Sequence, residues 1–124
     1  MGKHNDKKMI ADIRGLCLDM IHKSGSGHPG ICLGAAPIMY TLFTYHMNFD
    51  LTEKNWYNRD RFILSSGHGS ALLYAMLFCT TEDYNLNDLI EYRNVYSKTP
   101  GHPEYNINNR IECSTGPLGQ GIAN

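Results

Sequence analysis

The stretch from Arg61 to Thr80, "RFILSSGHGSALLYAMLFCT", constrains the fold of this chain more than any other. Its beginning predicts a short buried strand, and its end predicts a helix that is apolar on nearly every side. Such a helix has to be covered by other elements all round. Between the two parts lies Gly67-His68-Gly69, where the glycines favour a tight turn and leave room for a close neighbour.

Two helices are predicted before this stretch. Apolar residues follow helical spacing from Met9 to Ile21, and Asn5 or Asp6 is a candidate N-cap for that helix. A second helix is predicted from Ile38 to His46, which Pro37 would open or kink.

The rest of the chain continues the alternation of helices and strands. "NLNDLIEYR" predicts a short helix with Asn85 as its cap, "RIECS" predicts a second short strand, and "GPLGQGIAN" predicts a glycine-rich turn that opens a helix. This order is typical of an α/β protein with a parallel sheet flanked by helices. Because such a sheet needs more strands, we expect residues 9–124 to be the leading part of a larger domain, incomplete at its C-terminus, after a polar tail of residues 1–8.

Charge and composition exclude several classes of protein. The chain of 124 residues has 11 Lys and Arg against 12 Asp and Glu, so its formal charge of -1 gives no footprint for nucleic acid. No apolar run reaches the length of a membrane span, and we expect no membrane partner. The four cysteines form no CxxC pair, which predicts reduced thiols and a cytoplasmic location.

Three histidines each follow a glycine: His28 in "SGSGHPG", His68 in "SSGHGS" and His102 in "TPGHPE". His68 precedes a predicted helix, where free N–H groups favour a phosphate, although a core-facing histidine in a tight turn is the alternative. His28 and His102 are each followed by proline, which stiffens the loop, and an imidazole there can move protons or bind an oxyanion. Three histidines could also form a zinc site, but no HxH or HExxH spacing supports this.

A second glycine-rich turn, "GPLGQG", runs from Gly116 to Gly121. Bare backbone beside the apolar Leu118 would suit a flat heteroaromatic ring. A purely structural turn is an equally good interpretation of this motif alone.

Four motifs in this order, "SGSGHPG", "NRDRFILSSGHGSALLYA", "SKTPGHPE" and "STGPLGQGIAN", closely resemble the N-terminal part of transketolase. The resemblance extends from about Ala11 to Asn124. It implies a thiamine diphosphate-binding fold and an enzyme that transfers a two-carbon ketol unit from a ketose phosphate to an aldose phosphate. Dihydroxyacetone synthase is the nearest rival, and a non-catalytic metal- or phosphate-binding module is the alternative from another class.

The resemblance also implies roles for individual residues. His28 would lie beside the reacting carbons, and His102 would contact the donor substrate and help with proton transfer, so both are expected to be catalytic and substrate-binding. The diphosphate of the cofactor would be bound by His68. The remaining cofactor-binding residues would be Gly116, Pro117 and Leu118.

Other family features are expected outside this sequence. The resemblance implies a divalent metal, Mg²⁺ or Ca²⁺, whose Gly-Asp-Gly motif would lie beyond residue 124, so no metal ligand is expected within the chain. It also implies a homodimer that acts on sugar phosphates. We expect the stretch alone to be inactive.

Overall fold

The computed structural model describes residues 3–123, and α-helices form the framework of that part of the chain. The helices are α1 (Lys3–Ser24), α2 (Pro29–Thr41), α3 (Ser70–Thr80) and α4 (Leu86–Ile90). Helix α3 lies at the centre and packs against the other three helices. A π-helical turn, Leu42–His46, extends α2, and 3-10 turns lie at Gly67–Gly69 and Ile107–Asn109.

The central helix α3 is buried around its whole circumference. Every residue from Ser70 to Leu77 is buried, and Leu72, Tyr74 and Met76 are 0% exposed. Burying a large apolar side chain contributes about 1.5–3 kcal/mol, so this helix anchors the packing of its neighbours. The prediction of a helix that is covered on all sides is confirmed.

The first helix starts earlier than predicted. It includes residues 3–8, which were expected to form a polar tail, so Asn5 and Asp6 lie inside the helix and are not its caps. Asp6 instead accepts hydrogen bonds from the hydroxyls of Tyr40 at 3.0 Å and Tyr45 at 2.8 Å. These two bonds tie the first turns of α1 to the end of α2 and explain why a polar segment is helical.

The second helix also starts earlier, at Pro29 and not near Pro37. In the first turn of a helix the missing N–H of proline costs nothing, because that group would have no partner inside the helix. Pro37 lies within α2 and cannot donate to the carbonyl of Leu33, one turn earlier. The Nε of Arg14, on α1, donates to that carbonyl at 2.9 Å and replaces the lost bond.

Neither predicted strand forms within residues 3–123. The segment "RFILSS" lies outside any helix or strand, although its exposure alternates as in a strand: Phe62 and Leu64 are half-buried and Ile63 is 43% exposed. It has no ladder partner among the described residues, and "RIECS" contributes one isolated antiparallel bridge, between Asn106 and Ile111. A strand is defined by its neighbours, so the predicted parallel sheet is not found in this part of the chain.

The two remaining local predictions have different outcomes. Asn85 caps α4 in a capping box: its side chain accepts from the amide of Asp88 at 3.2 Å, and the Asp88 carboxylate accepts from the amide of Asn85 at 2.8 Å. The glycine-rich end forms turns over residues 117–123, and the predicted helix does not form there. None of the helices in the described range combines the length and apolar character of a membrane span.

Candidate functional site

The packing of α2 on the turn before α3 brings two of the three motif histidines together. Ile31, in the first turn of α2, lies close to Gly69: a Cβ added to Gly69 would be 3.1 Å from the side chain of Ile31. His28 is the N-cap of α2 and is therefore held beside that turn. The rings of His28 and His68 meet edge to face, with centroids 5.0 Å apart and an interplanar angle of 72°.

The same turn touches the glycine-rich segment from the end of the chain. A Cβ on Gly67 would lie 2.6 Å from both the amide nitrogen of Gly116 and the carbonyl carbon of Thr115. Both are backbone atoms that cannot rotate away, so only glycine fits at position 67. The glycine of the Gly-His-Gly motif therefore serves the close approach of two chain segments.

The third histidine, His102, joins this arrangement through Gly116. A Cβ on Gly116 would lie 3.0 Å from the Cγ of the His102 ring. The amide of Thr115 donates to the carbonyl of Pro103 at 3.0 Å and holds the two segments side by side. The structure thus links all the predicted motifs by direct contacts, with His28 against His68 at one end and Gly116 against His102 at the other.

Two polar atoms at the junction have no hydrogen-bond partner among the described residues. They are Nδ1 of His68 and Oγ1 of Thr115, and both are buried. Buried polar atoms are nearly always paired, so these two favour a polar ligand at the junction. Thr115 was not singled out from the sequence, although a hydroxyl residue directly before a glycine turn was the available signal.

The last two predicted site residues lie on an open face. Pro117 and Leu118 follow Gly116 directly and are exposed, Leu118 by 74%. Leu118 therefore contributes nothing to the core. An apolar side chain that projects beside bare glycine backbone in this way can contact a flat ring.

Ion pairs stabilise the two segments that meet at the junction. The guanidinium of Arg59 lies 2.7 and 3.0 Å from the two carboxylate oxygens of Glu112, which links the segment before His68 to the segment before Thr115.

A second ionic cluster surrounds Asp83, whose carboxylate pairs with Lys54 and with Nε of Arg110 at 2.5 Å. Burial alone would raise the pKa of Asp83, but the hydrogen bonds and charges of Lys54 and Arg110 outweigh it and lower that pKa. The carboxylate is therefore charged at neutral pH.

Metal binding is not supported in the described part of the chain. Within residues 3–123 no group of three or more His, Cys, Asp or Glu side chains could hold a metal ion. The three motif histidines are included in that range, so the zinc alternative has no structural support.

Comparisons with known proteins agree with the motifs. The family model "Transketolase, thiamine diphosphate binding domain" matches residues 5–124. The chain is 53% identical over 118 residues to the transketolase of Bacillus subtilis, which covers 95% of this chain and 18% of that protein. With the transketolase of Geobacillus stearothermophilus it shares 54% identity over 114 residues, 92% of this chain and 17% of that protein.

Solved structures give the same result. The transketolase from Campylobacter jejuni superposes with a TM-score of 0.93 at 44% identity, covering 100% of this chain and 19% of that one. The Pichia stipitis transketolase in complex with sedoheptulose 7-phosphate superposes with a TM-score of 0.89 at 48% identity, covering 94% of this chain and 17% of that one. The chain belongs to the transketolase family and lies within its thiamine diphosphate-binding domain. It spans less than a fifth of the length of these relatives.

Proposed function

We propose that this chain provides the diphosphate side of a thiamine diphosphate site in an enzyme that transfers two-carbon ketol units between sugar phosphates. The observation that carries the proposal is the pair of buried, unpartnered polar atoms, Nδ1 of His68 and Oγ1 of Thr115, at one junction. Each can donate a hydrogen bond to a phosphate oxygen. The absence of side chains at Gly67 and Gly116 leaves backbone bare beside them. The residues present therefore fit the diphosphate of the cofactor.

The exposed groups around the junction suit the reacting end of the site. Bound thiamine diphosphate supplies the electron sink for breaking a carbon–carbon bond beside a carbonyl. His28 and His102 would hold or move protons at their ring nitrogens, since an imidazole can do both near neutral pH. Leu118 and Pro117 would cover a face of the cofactor rings and exclude water from it.

Family membership supports a proposal for the wider assembly. Mg²⁺ or Ca²⁺ would neutralise the diphosphate through ligands outside residues 3–123, since no group of side chains in that range could hold a metal ion. We propose sugar phosphates as substrates, and the Pichia stipitis structure, a complex with sedoheptulose 7-phosphate, supports that class. A homodimer and a cytoplasmic location complete the proposal.

The test uses a full-length transketolase that carries this segment. His68→Ala should weaken thiamine diphosphate binding about tenfold to a hundredfold, because a hydrogen bond to a charged group contributes roughly 1.5–3 kcal/mol. Titration of the apoenzyme with the cofactor, followed by fluorescence, measures this. An unchanged dissociation constant would refute the diphosphate role of His68.

The neighbouring histidine provides the matched control. His28→Ala removes the ring that contacts His68 and should leave the dissociation constant of thiamine diphosphate within about threefold of the wild type. The loss of a ring–ring contact costs less free energy than the loss of a hydrogen bond to a charged phosphate. Its turnover at saturating cofactor should fall roughly 10²–10⁴-fold if His28 transfers protons. Turnover near that of the wild type would argue against a catalytic His28.

A further inference from the structure

The loop from Thr99 to Pro103 is held by its backbone while the imidazole it carries stays exposed. The carbonyls of Thr99, Pro100, Gly101 and Pro103 each accept a hydrogen bond. Their donors are the amides of Arg93 and Thr115 and the hydroxyls of Tyr74 and Ser70. The backbone on both sides of His102 is thus fixed, and its side chain is free to meet a ligand.

Two of these donors come from one face of the central helix. Ser70 and Tyr74 are four residues apart on α3, and both are 0% exposed. Ser70 donates to Gly101 at 2.7 Å and Tyr74 donates to Pro100 at 2.9 Å. Because α3 is buried on all sides, it presents these hydroxyls from a rigid support.

A third hydroxyl completes the arrangement. Ser70 has one hydroxyl proton, and it is donated to the carbonyl of Gly101. The contact of 2.9 Å between Ser70 Oγ and the hydroxyl of Tyr92 must therefore be donated by Tyr92, which is 1% exposed. All three hydroxyls belong to buried side chains whose partners are protein groups, and this fixes the direction of each bond.

We propose that Tyr74 and Ser70 are positioning residues for His102: their hydroxyls fix the carbonyls just before it and so place its imidazole against Gly116. The inference rests on the proposed function, because it acts through the role given there to His102. Nothing in the contacts of Tyr74 or Ser70 requires either side chain to touch cofactor or substrate.

Tyr84 offers a matched control for Tyr74. Both are buried tyrosines whose rings lie 6.0 Å apart, and burial raises the pKa of both phenols, so both remain donors. Tyr84 donates to the carbonyl of Asn109 at 2.8 Å, away from the loop of His102. Tyr74→Phe and Tyr84→Phe therefore remove the same kind of bond from the same cluster.

The experiment is done in a full-length transketolase that carries this segment. Tyr74→Phe should lower kcat about threefold to tenfold, the equivalent of one lost hydrogen bond, without changing the dissociation constant of thiamine diphosphate. Tyr84→Phe should keep kcat within about twofold. Equal losses of kcat in the two variants would overturn the positioning role.

A double-mutant cycle with His102→Ala separates positioning from a general structural effect. If Tyr74 acts through His102, Tyr74→Phe should cause no further loss of kcat in the His102→Ala background. A multiplicative loss there would overturn the inference. If the His102→Ala variant retains the kcat of the wild type, the proposed role of His102 fails and the inference fails with it. If His102→Ala lowers kcat but Tyr74→Phe does not, only the inference is refuted.

Ser70→Ala repeats the test at the second donor. It keeps the helix and removes only the hydroxyl, so it serves if Tyr74→Phe proves insoluble. The same non-additivity with His102→Ala is expected, and its absence would overturn the role of Ser70.

Discussion

Two segments of the site are built in opposite ways. We name the loop from Thr99 to Pro103 the anchored loop, because four of its carbonyls accept hydrogen bonds. We name residues 116–123 the open segment: its backbone turns are closed by bonds from Gln120 to Pro117 and from Ala123 to Gln120. Within it Leu118 is 74% exposed and Ile122 is 88% exposed.

The difference separates two physical problems that one site has to solve. In the proposed site, a group that transfers protons has to be held at a defined position before its substrate arrives, and the anchored loop would do this for His102. A surface that takes up a flat ring needs accessible apolar area, and the open segment would provide it at Leu118. We expect substitutions around the anchored loop to change stability and positioning, and substitutions in the open segment to change affinity.

The largest effect is expected where the turn of Gly67 meets the start of the open segment. Gly67→Ala would place a Cβ 2.6 Å from backbone atoms of Thr115 and Gly116 and force the two segments apart. We expect local stability at residues 110–118 to fall by about 3 kcal/mol, the upper part of the range for overpacking. Hydrogen exchange of peptides covering these residues measures that opening.

A glycine with free space around it is the control for this substitution. A Cβ on Gly34 would meet nothing within 4 Å, and the residue lies within α2. Gly34→Ala should therefore be neutral or stabilise the protein by about 0.5–1 kcal/mol. Equal exchange in the two variants would show that the junction is not tightly packed.

A smaller effect is expected from the ionic cluster that borders the anchored loop. Lys98, just before the loop, donates to the carbonyl of Asp83, and Arg110, after it, pairs with the carboxylate. Asp83→Asn should lower local stability by about 1–2 kcal/mol at pH 7, less than for a fully buried pair because the side chain of Lys54 is 31% exposed.

The dependence of this effect on pH has a defined sign. The folded-state pKa of Asp83 is lowered, so its contribution to stability is complete above the unfolded pKa of about 3.9. As the pH falls through the folded-state pKa, that contribution is lost, and the free energies of unfolding of the wild type and of Asp83→Asn should converge. Amide exchange rates themselves change with pH, so urea denaturation at several pH values is the measurement. Glu82→Gln, at an exposed neighbouring carboxylate, is the control, and a difference that persists unchanged at low pH would contradict the assignment.

The smallest effect on stability is expected in the open segment. Leu118→Ala removes a mostly exposed side chain, so the free energy of unfolding should change by less than about 0.5 kcal/mol. Affinity for thiamine diphosphate should nevertheless fall about threefold to tenfold, because the side chain loses apolar area that the cofactor would bury. A large loss of stability with unchanged affinity would reverse the comparison between the two segments.

Features that depend on local sequence were predictable. The all-round apolar pattern of α3 and the Asn85 cap of α4 are encoded within a few residues, and both are confirmed. The strand at "RFILSS" kept its two-residue alternation but lacked neighbours to pair with, which no local pattern can supply. The start of α2 was misplaced because its apolar residues alone do not show which of two prolines opens the helix.

The site divides in the same way. Glycine-flanked histidines marked His28, His68 and His102 as unusual, because that pattern is local. Their contacts could not be predicted, since the edge-to-face pair of His28 and His68 depends on how α2 packs on Gly69. Hydroxyls that act over long sequence separations, such as Ser70 on Gly101, leave no local signal beyond a polar residue in an apolar run.

The bond from Arg14 to the carbonyl of Leu33 has a consequence for how the first two helices find their alignment. Apolar contacts between helices are non-directional, and a neighbouring register one turn away can bury a similar area. Because Pro37 has no N–H, the carbonyl of Leu33 has no donor within α2. Only the register that brings Arg14 of α1 beside Leu33 gives that carbonyl a protein donor. A surface bond that contributes little free energy can thus select one register of the two helices, because the shifted registers leave the carbonyl of Leu33 without this donor.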